Sequence, residues 1–380
     1  MFDSILLCSI LFLLPTQLGL HFWPTFSYVG GFRIDYLSPT IYSIDLLIVL
    51  YLILNLSQLI RLIVKNYKSL VFVLLVVFLN LLFSISPYNT SVWFTHLLLY
   101  LSFVVIIKNK NIKLEVILRP ILVSCVFLIL LEIIQIGIQG SIGGLMYWFG
   151  ERSFNTGTPN IAKISLYGRE YIRPYATFSH PNSLAGFLFL VLILVKKNNK
   201  YKIFTPILIL GILLTLSKSV TISMLMVYLQ IPLSILTIAI AILIIIPLLP
   251  ITDLFVSFPK YIIDRLRYGV VAGEIIKKFP IFGIGYGNYL LSLPLVLPTR
   301  YFLVSNFQPI HNFILLTVSE FGLINIISLI GLYGKYIYKK IKKENIYYLV
   351  LILFLSTFDH YLYTLPQNKL LLLISLAYLV

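Results

Sequence analysis

His311 and Asn312 stand side by side immediately before a long apolar run, in "PIHNFILLTVSEFGL". An imidazole with an ordinary pKa near about 6.5 can exchange a proton with an incoming hydroxyl, so His311 is a candidate general base. Position alone fits a structural boundary histidine equally well, and Asn312 could simply cap the helix that follows. A second polar group occupies "RPYATFSHPNSLAGF", where Arg173, His180, Pro181 and Asn182 lie at the threshold of another apolar run. Pro174 and Pro181 turn the residues before them away from helix, so the chain is extended or turning up to Asn182, the expected N-cap. An arginine beside a helix N-terminus is a ready anion site, although a plain loop with a snorkelling arginine reads the same way.

"DRLRYGVVAGEIIKKFPIFGIGYGNY" carries Arg265 and Arg267 near the start of an expected amphipathic surface helix over 262–279, with Lys277 and Lys278 facing anionic headgroups. The glycines at 283, 285 and 287 imitate a dinucleotide loop, but no strand precedes them and no βαβ unit follows, so they predict a tight turn. Lys218, in "LTLSKSV", stands at a corner between apolar runs, a costly place for a charge unless it faces a polar cavity. Glu132, Gln135 and Gln139 form a polar stripe expected to line that cavity. Glu320 follows His311 by nine residues; at about 100° and 1.5 Å each it falls on the opposite face and about 13 Å deeper, as a buried packing or cavity residue. His21, His96, His360, Cys8 and Cys125 show no metal-site spacing, and no HExxH or carboxylate pair is present, so neither a metal nor a cofactor is expected.

These groups need a membrane to position them. A mean hydropathy of +0.99 with 11% charged residues excludes a soluble domain, whose wetted surface would need far more polar side chains. With about 20 residues needed per crossing, spans are predicted near 4–20, 41–60, 69–86, 91–107, 114–138, 182–195, 203–217, 219–230, 232–250, 312–334, 346–358 and 366–380. The opening segment lacks a basic start and a small-residue cleavage site, so it reads as a retained span. The net charge of +16 is concentrated in short connections: Arg61/Lys65/Lys68, Lys108/Lys110/Lys113, Lys196/Lys197/Lys200/Lys202 and Lys335/Lys339/Lys340/Lys342/Lys343. All four fall on one side in the twelve-span reading, which makes that side and both termini cytoplasmic and points the charge at a membrane rather than at nucleic acid. Segments 21–40, 139–181, 215–219, 251–311 and 359–365 are then external, and they hold Arg173, His180, Lys218, Arg265, His311 and Asp359. The expected fold is an all-α polytopic helix bundle, a single domain over 1–380, with 139–181 and 251–311 capping the site.

In order, "RPYATFSHPNSLAG", "LTLSKS", the arginine-bearing helix before "PIFGIGYGNY", "HNFILLTVSEFGLI" and the tail "FDHYLYTLPQNKLL" resemble the bacterial O-antigen ligase and O-antigen polymerase superfamily. The resemblance covers about 170 to 380; upstream it rests on hydropathy and on "GFRIDYLSPTIYSIDLL". It implies a C-type membrane glycosyltransferase of the bacterial inner membrane, independent of metal and inverting at the anomeric carbon. Such an enzyme moves a glycan from a polyprenyl (undecaprenyl) pyrophosphate carrier to an acceptor hydroxyl on the non-cytoplasmic face. The resemblance puts the general base on His311 and pyrophosphate binding on Arg173 and Arg265, with Arg267 as the register alternative. Lys218 stands where members often carry arginine, and a lysine there is a point charge rather than a fork. His180, Asn182, Asn312 and Asp359 are the expected supporting residues. Ligase, polymerase and protein O-oligosaccharyltransferase share these motifs, the acceptor being lipid, glycan or protein. A transporter or flippase is the alternative from another class, and would need ionisable groups at mid-membrane on broken helices of related halves.

Overall fold

The computed structural model describes residues 2–249, 260–298 and 307–380; the parts of the expected cap at 251–259 and 299–306 lie outside the described residues. The chain is mostly helical. In order come α1 (Phe2–Leu13), α2 (Ser43–Leu54), α3 (Leu56–Lys65), α4 (Tyr67–Leu82), α5 (Pro87–Asn109), α6 (Leu114–Ile138), α7 (Pro181–Lys196) and α8 (Thr205–Leu214). They are followed by α9 (Lys218–Leu229), α10 (Leu233–Ile245), α11 (Lys260–Lys278), α12 (Tyr289–Val296), α13 (Phe313–Lys340), α14 (Lys343–Ser356), α15 (Tyr361–Thr364) and α16 (Pro366–Leu379). Strands occur only as three short antiparallel pairs among the described residues, two within segments expected to be external and one straddling the ends of the expected spans 4–20 and 41–60. They are β1 (Gly19–His21) with β4 (Thr40–Tyr42), β2 (Tyr28–Val29) with β3 (Phe32–Arg33), and β5 (Lys163–Leu166) with β6 (Arg169–Ile172).

Every expected span coincides with a helix, but most of the helices are too short for a full crossing. Among the described residues, α5, α6 and α13 are long and apolar enough to cross a membrane, and α2 with α3 makes a fourth if the bent pair counts as one span. The run predicted as one span over 41–60 breaks at Asn55 and bends by 77°. Asn55 donates to Asp3 Oδ1 and to the Tyr51 carbonyl, both at 2.8 Å, so a polar side chain serves the backbone at the bend. The remainder, α3, carries Arg61 and Lys65 away from the direction of α2.

The centre of the fold is α7. All of Pro181 and Ser183 to Val195 are buried, and most of its side chains have no exposure at all. A helix that is apolar on every side has no face to give to solvent and takes the middle of the bundle, here against α6, α8, α9 and α16. Gly186 permits the closest approach: a Cβ there would lie 2.2 Å from the ring of Tyr361, the first residue of α15.

The second organising feature is a break in α13. Gly322 takes φ 71° and ψ 168°, and the glycine loop 283–287 fills the gap. Ile284 and Gly285 donate to the carbonyls of Ser319 and Glu320, while Leu323 and Ile324 donate to those of Pro280 and Ile281, all at 2.9–3.1 Å. Glu320 completes the seal, with its carboxylate accepting Gly287 N at 2.8 Å, Tyr289 N at 3.1 Å and the hydroxyl of Tyr363. The expectation of a buried packing residue holds for Glu320, and its partners are now named. Non-helical backbone is tolerated inside apolar surroundings only where it is paired in this way.

Among the described residues two large apolar cores result, one around α7 and one around the glycine loop, α12 and the first turns of α13, with a small third cluster of Phe154, Ile161, Ile172 and Tyr175. The short helix α15 belongs to both, since Tyr361 packs in the first and Tyr363 in the second. Asp359 and His360, the residues just before α15, are therefore fixed by both cores. Replacing Gly186 by Ala should push α15 off α7. We expect a loss of about 1–3 kcal/mol, the usual cost of overpacking, read as a lower thermal midpoint for the solubilised protein; an unchanged midpoint would show that the contact has slack.

Candidate functional site

At this junction, Asp359 Oδ1 accepts the backbone N–H of His360 at 2.8 Å and lies 3.3 Å from His311 Nδ1. Its Oδ2 accepts from Asn182 Nδ2 at 3.3 Å. Asn182 in turn accepts Arg173 Nη2 on Oδ1 at 2.7 Å, and Arg173 Nε donates to the carbonyl of Thr215 at 2.8 Å. A continuous polar chain thus runs from His311 through Asp359, Asn182 and Arg173 to the corner that opens α9, whose first residue is Lys218. Arg265, on α11, lies close enough for its charge to act on Asp359 and His360, whereas Arg267 is exposed.

Each member is held from behind. Asn312 caps α13, with Oδ1 accepting Ile314 N and Leu315 N at 3.0 Å, which fixes the residue next to His311. The expected N-cap Asn182 is not the cap of α7; His180 is, its Nδ1 accepting Asn182 N at 3.1 Å. Pro181 presets the first helical residue, so the helix starts earlier and the Asn182 side chain is released to join Arg173 with Asp359. Gln135 and Gln139 do not line an open cavity. Gln135 Oε1 accepts Tyr175 N at 2.9 Å and Ala176 N at 2.8 Å, and Gln139 Oε1 accepts Ile172 N at 2.7 Å. These glutamines fasten the segment carrying Arg173, because a loop crossing buried ground must find partners for its backbone. The third member of that stripe, Glu132, is fully buried, and neither of its carboxyl oxygens has a hydrogen-bond partner among the described residues.

Burial would raise the Asp359 carboxyl, but the charge and hydrogen bond of His311, then His360 and Arg265, hold it below the usual carboxylate range. For His360 burial wins: its imidazole is pushed down to about 3, with Asp359 opposing and His311, His180 and Arg265 adding to the fall. An ionised Asp359 favours the proton of His311 on Nδ1, which leaves the lone pair on Nε2, the geometry of a base oriented by a carboxylate.

Arg152 lies outside the stretches that carry the resemblance, and His360 and Tyr36 lie within them without a spacing of their own that marks them. His360 has no informative spacing, yet its ring lies 5.3 Å from that of His311, with Nδ1 2.8 Å from Thr364 Oγ1. Tyr36, from the external segment before α2, meets the edge of His360 at 5.5 Å, so this segment also covers the site. Arg152 donates from Nη1 to the Ser179 carbonyl at 3.3 Å and lies 5.7 Å over the Tyr175 ring. His311, Asp359 and His360 also bring three ligand atoms within 4.8 Å of one another, a group that could hold a divalent ion although sequence spacing gave no sign of one. The Arg265 charge and the backbone N–H of His360 directed at Asp359 Oδ1 work against a cation there. Comparison with family models, with curated proteins and with solved structures gave no match to this chain.

The neutral state of His360 has a measurable consequence. In the unfolded chain it takes up a proton below about pH 6.5, and in the fold only near 3. The folded state therefore binds fewer protons, and this group costs stability as pH falls through about 6.5 toward 3. We expect the His360 ring resonances, assigned by comparison with His360→Gln, to stay fixed between about pH 5 and 8. Titration inside that window would mean that the ring is solvated.

Proposed function

We propose that this chain is a membrane glycosyltransferase of the O-antigen ligase or polymerase kind, transferring a glycan from a polyprenyl pyrophosphate to an acceptor hydroxyl. The supporting observation is the hydrogen-bonded connection of His311 to Arg173 through Asp359 and Asn182, with Arg265 close by. Each group has a task in that chemistry. His311 Nε2 takes the acceptor proton as the oxygen bonds to the anomeric carbon, and the carbon–oxygen bond to the carrier breaks with its electron pair leaving on the diphosphate. Arg173 and Arg265, with Lys218 at the corner that opens α9, stabilise the charge that develops there, and Asp359 keeps His311 in the right tautomer. The displacement inverts the anomeric centre and uses no metal. His180, Asn182 and Asn312 position these groups.

The reading also fixes a topology: twelve crossings, several by short or tilted helices, both termini in the cytoplasm, and the site at the outer face of the bacterial inner membrane. A lipid-linked substrate would then reach the site sideways from the bilayer. The transporter alternative draws on the broken α13 beside Glu320, a feature such proteins use. Here the break is filled by backbone and the Glu320 carboxylate is occupied by two N–H groups and Tyr363, which leaves no ligand site there.

Purified protein supplied with lipid-linked glycan and candidate acceptors tests the proposal, and product length separates single transfer from polymerisation. His311→Ala should lower transfer by about 10²–10⁴-fold while leaving membrane insertion unchanged; near-parental turnover would remove the assigned base. Arg173→Lys should be severely impaired, because an ammonium cannot reproduce a planar fork. Parental activity in that variant would reduce Arg173 to an anchor. A chelator should leave the rate unchanged, and inactivation reversed by added metal would move the chemistry onto His311, Asp359 and His360 as ligands.

A further inference from the structure

We propose that Arg152 is the outer arm of a two-arginine clamp, gripping one phosphoryl group of a diphosphate while Arg173 holds the other; the inference rests on the function proposed above. Arg152 and Arg173 approach from two different strands of chain but serve the same short stretch. Arg152 donates to the carbonyl of Ser179, and Arg173 donates to the side chain of Asn182 three residues on. Both also flank Tyr175, with the Arg152 guanidinium over the ring and the charges of both arginines acting on its hydroxyl. Tyr175 is itself immobile: buried, with its hydroxyl accepting Ala162 N at 2.7 Å and its own N–H given to Gln135.

The segment bearing Arg152 is equally fixed. Glu151, next to it, turns inward, its carboxylate accepting Ile142 N, Gly143 N and Gln135 Nε2, each at 2.8 Å. On the other side of Glu151, Gly150 has φ 92°, and a Cβ there would lie 2.4 Å from Gln17 N, so the chain is pressed against the turn after α1. Glu151 therefore cannot neutralise its neighbour, and among the described residues Arg152 is in no ion pair. Arg152 is exposed and Arg173 half-buried, on either side of Tyr175, and one carbonyl contact leaves most of the Arg152 donors available to an anion. The charge also reaches inward: burial raises the Tyr36 phenol, the charge of Asp359 adds to that rise, and the charge of Arg152 opposes it. Arg152 thus acts on Tyr36, the residue whose ring meets that of His360. In this arrangement Arg173, with Arg265 on the His311 side, meets one phosphoryl group, and Arg152, on the far side of Tyr175, meets the other.

The test is calorimetric titration of the full-length solubilised protein with inorganic pyrophosphate and, separately, with inorganic phosphate. Arg152→Gln should weaken pyrophosphate binding by about tenfold or more, in line with loss of a charge-assisted contact, and leave phosphate binding within about twofold. Arg152→Lys should fall between, and Arg173→Gln should weaken both ligands. Parental pyrophosphate affinity in Arg152→Gln would overturn the role of Arg152 alone, and so would equal losses for the two ligands. If the parent protein bound no pyrophosphate, the diphosphate reading of the whole site would fall with it.

Discussion

A carboxylate buried as deeply as that of Asp359 must be met by donors or give up its charge. Here it is met from three directions, by the imidazole of His311, the amide of Asn182 and the backbone of His360. Asn182 lies 177 residues before Asp359 and His311 48 before it, so satisfying one side chain forces α7, α13 and the turn before α15 to converge. The requirement works in both directions. Without the negative charge of Asp359, Arg173 and Arg265 would be crowded cations; without them, the carboxylate would be a buried charge with too little support.

The same accounting governs the rest of the fold. Where regular helix stops inside apolar surroundings, a side chain or a neighbouring loop replaces the lost backbone bonds. Asn80 illustrates it: fully buried, it donates to the Glu320 and Phe282 carbonyls and accepts Tyr286 N, stitching α4 to the glycine loop and to α13. Gln135 does the same for the loop bearing Arg173. Lys369 is a harsher case, buried on α16 with its ammonium 2.9 Å from the Tyr286 hydroxyl and 4.4 Å over the Trp93 ring. An aromatic cage with one hydroxyl acceptor compensates part of its lost hydration. Polar residues in the apolar parts of this chain are thus mostly fasteners, which is why the site sits at the junction between fastened pieces.

What sequence could show followed from local chemistry. Proline before a helix start, an asparagine at the head of α13 and the apolar runs that became helices are all local signals, and they located His311, Asn312, Arg173 and the α11 arginines. Asn182 shows the limit: its type and place suggested a cap, but with Pro181 at the first helical position His180 took that task, and only the fold could show Asn182 bridging Arg173 to Asp359. Arg152 and His360 carry no local pattern, since their meaning comes from Ser179 and His311, each reached only by folding. Span counting misjudged length for a related reason. Apolarity over about 20 residues is a property of a segment, whereas the stops at Asn55 and Gly322 depend on Asp3 and on the glycine loop, distant partners that a window along the chain does not contain.

The charge arrangement has a final implication for how the site is built. Arg173 and Arg265 lie within electrostatic reach of Asp359 and Arg152 lies over Tyr175, while Glu151 is turned into backbone contacts and Glu320 is sealed against the glycine loop. Burial works against the Arg173 charge, with Tyr175 and Asp359 only partly offsetting it. Guanidinium groups held in place by hydrogen-bonded side chains repel one another, and on the proposed function an anionic substrate would relieve that repulsion without any rearrangement. Donors fixed before the ligand arrives do not have to be organised at the moment when charge develops on a leaving group. The fasteners that seem only structural, Gln135, Asn182 and Asn312, therefore act at the site as well, because they prevent the arginines and the imidazole from relaxing away from one another.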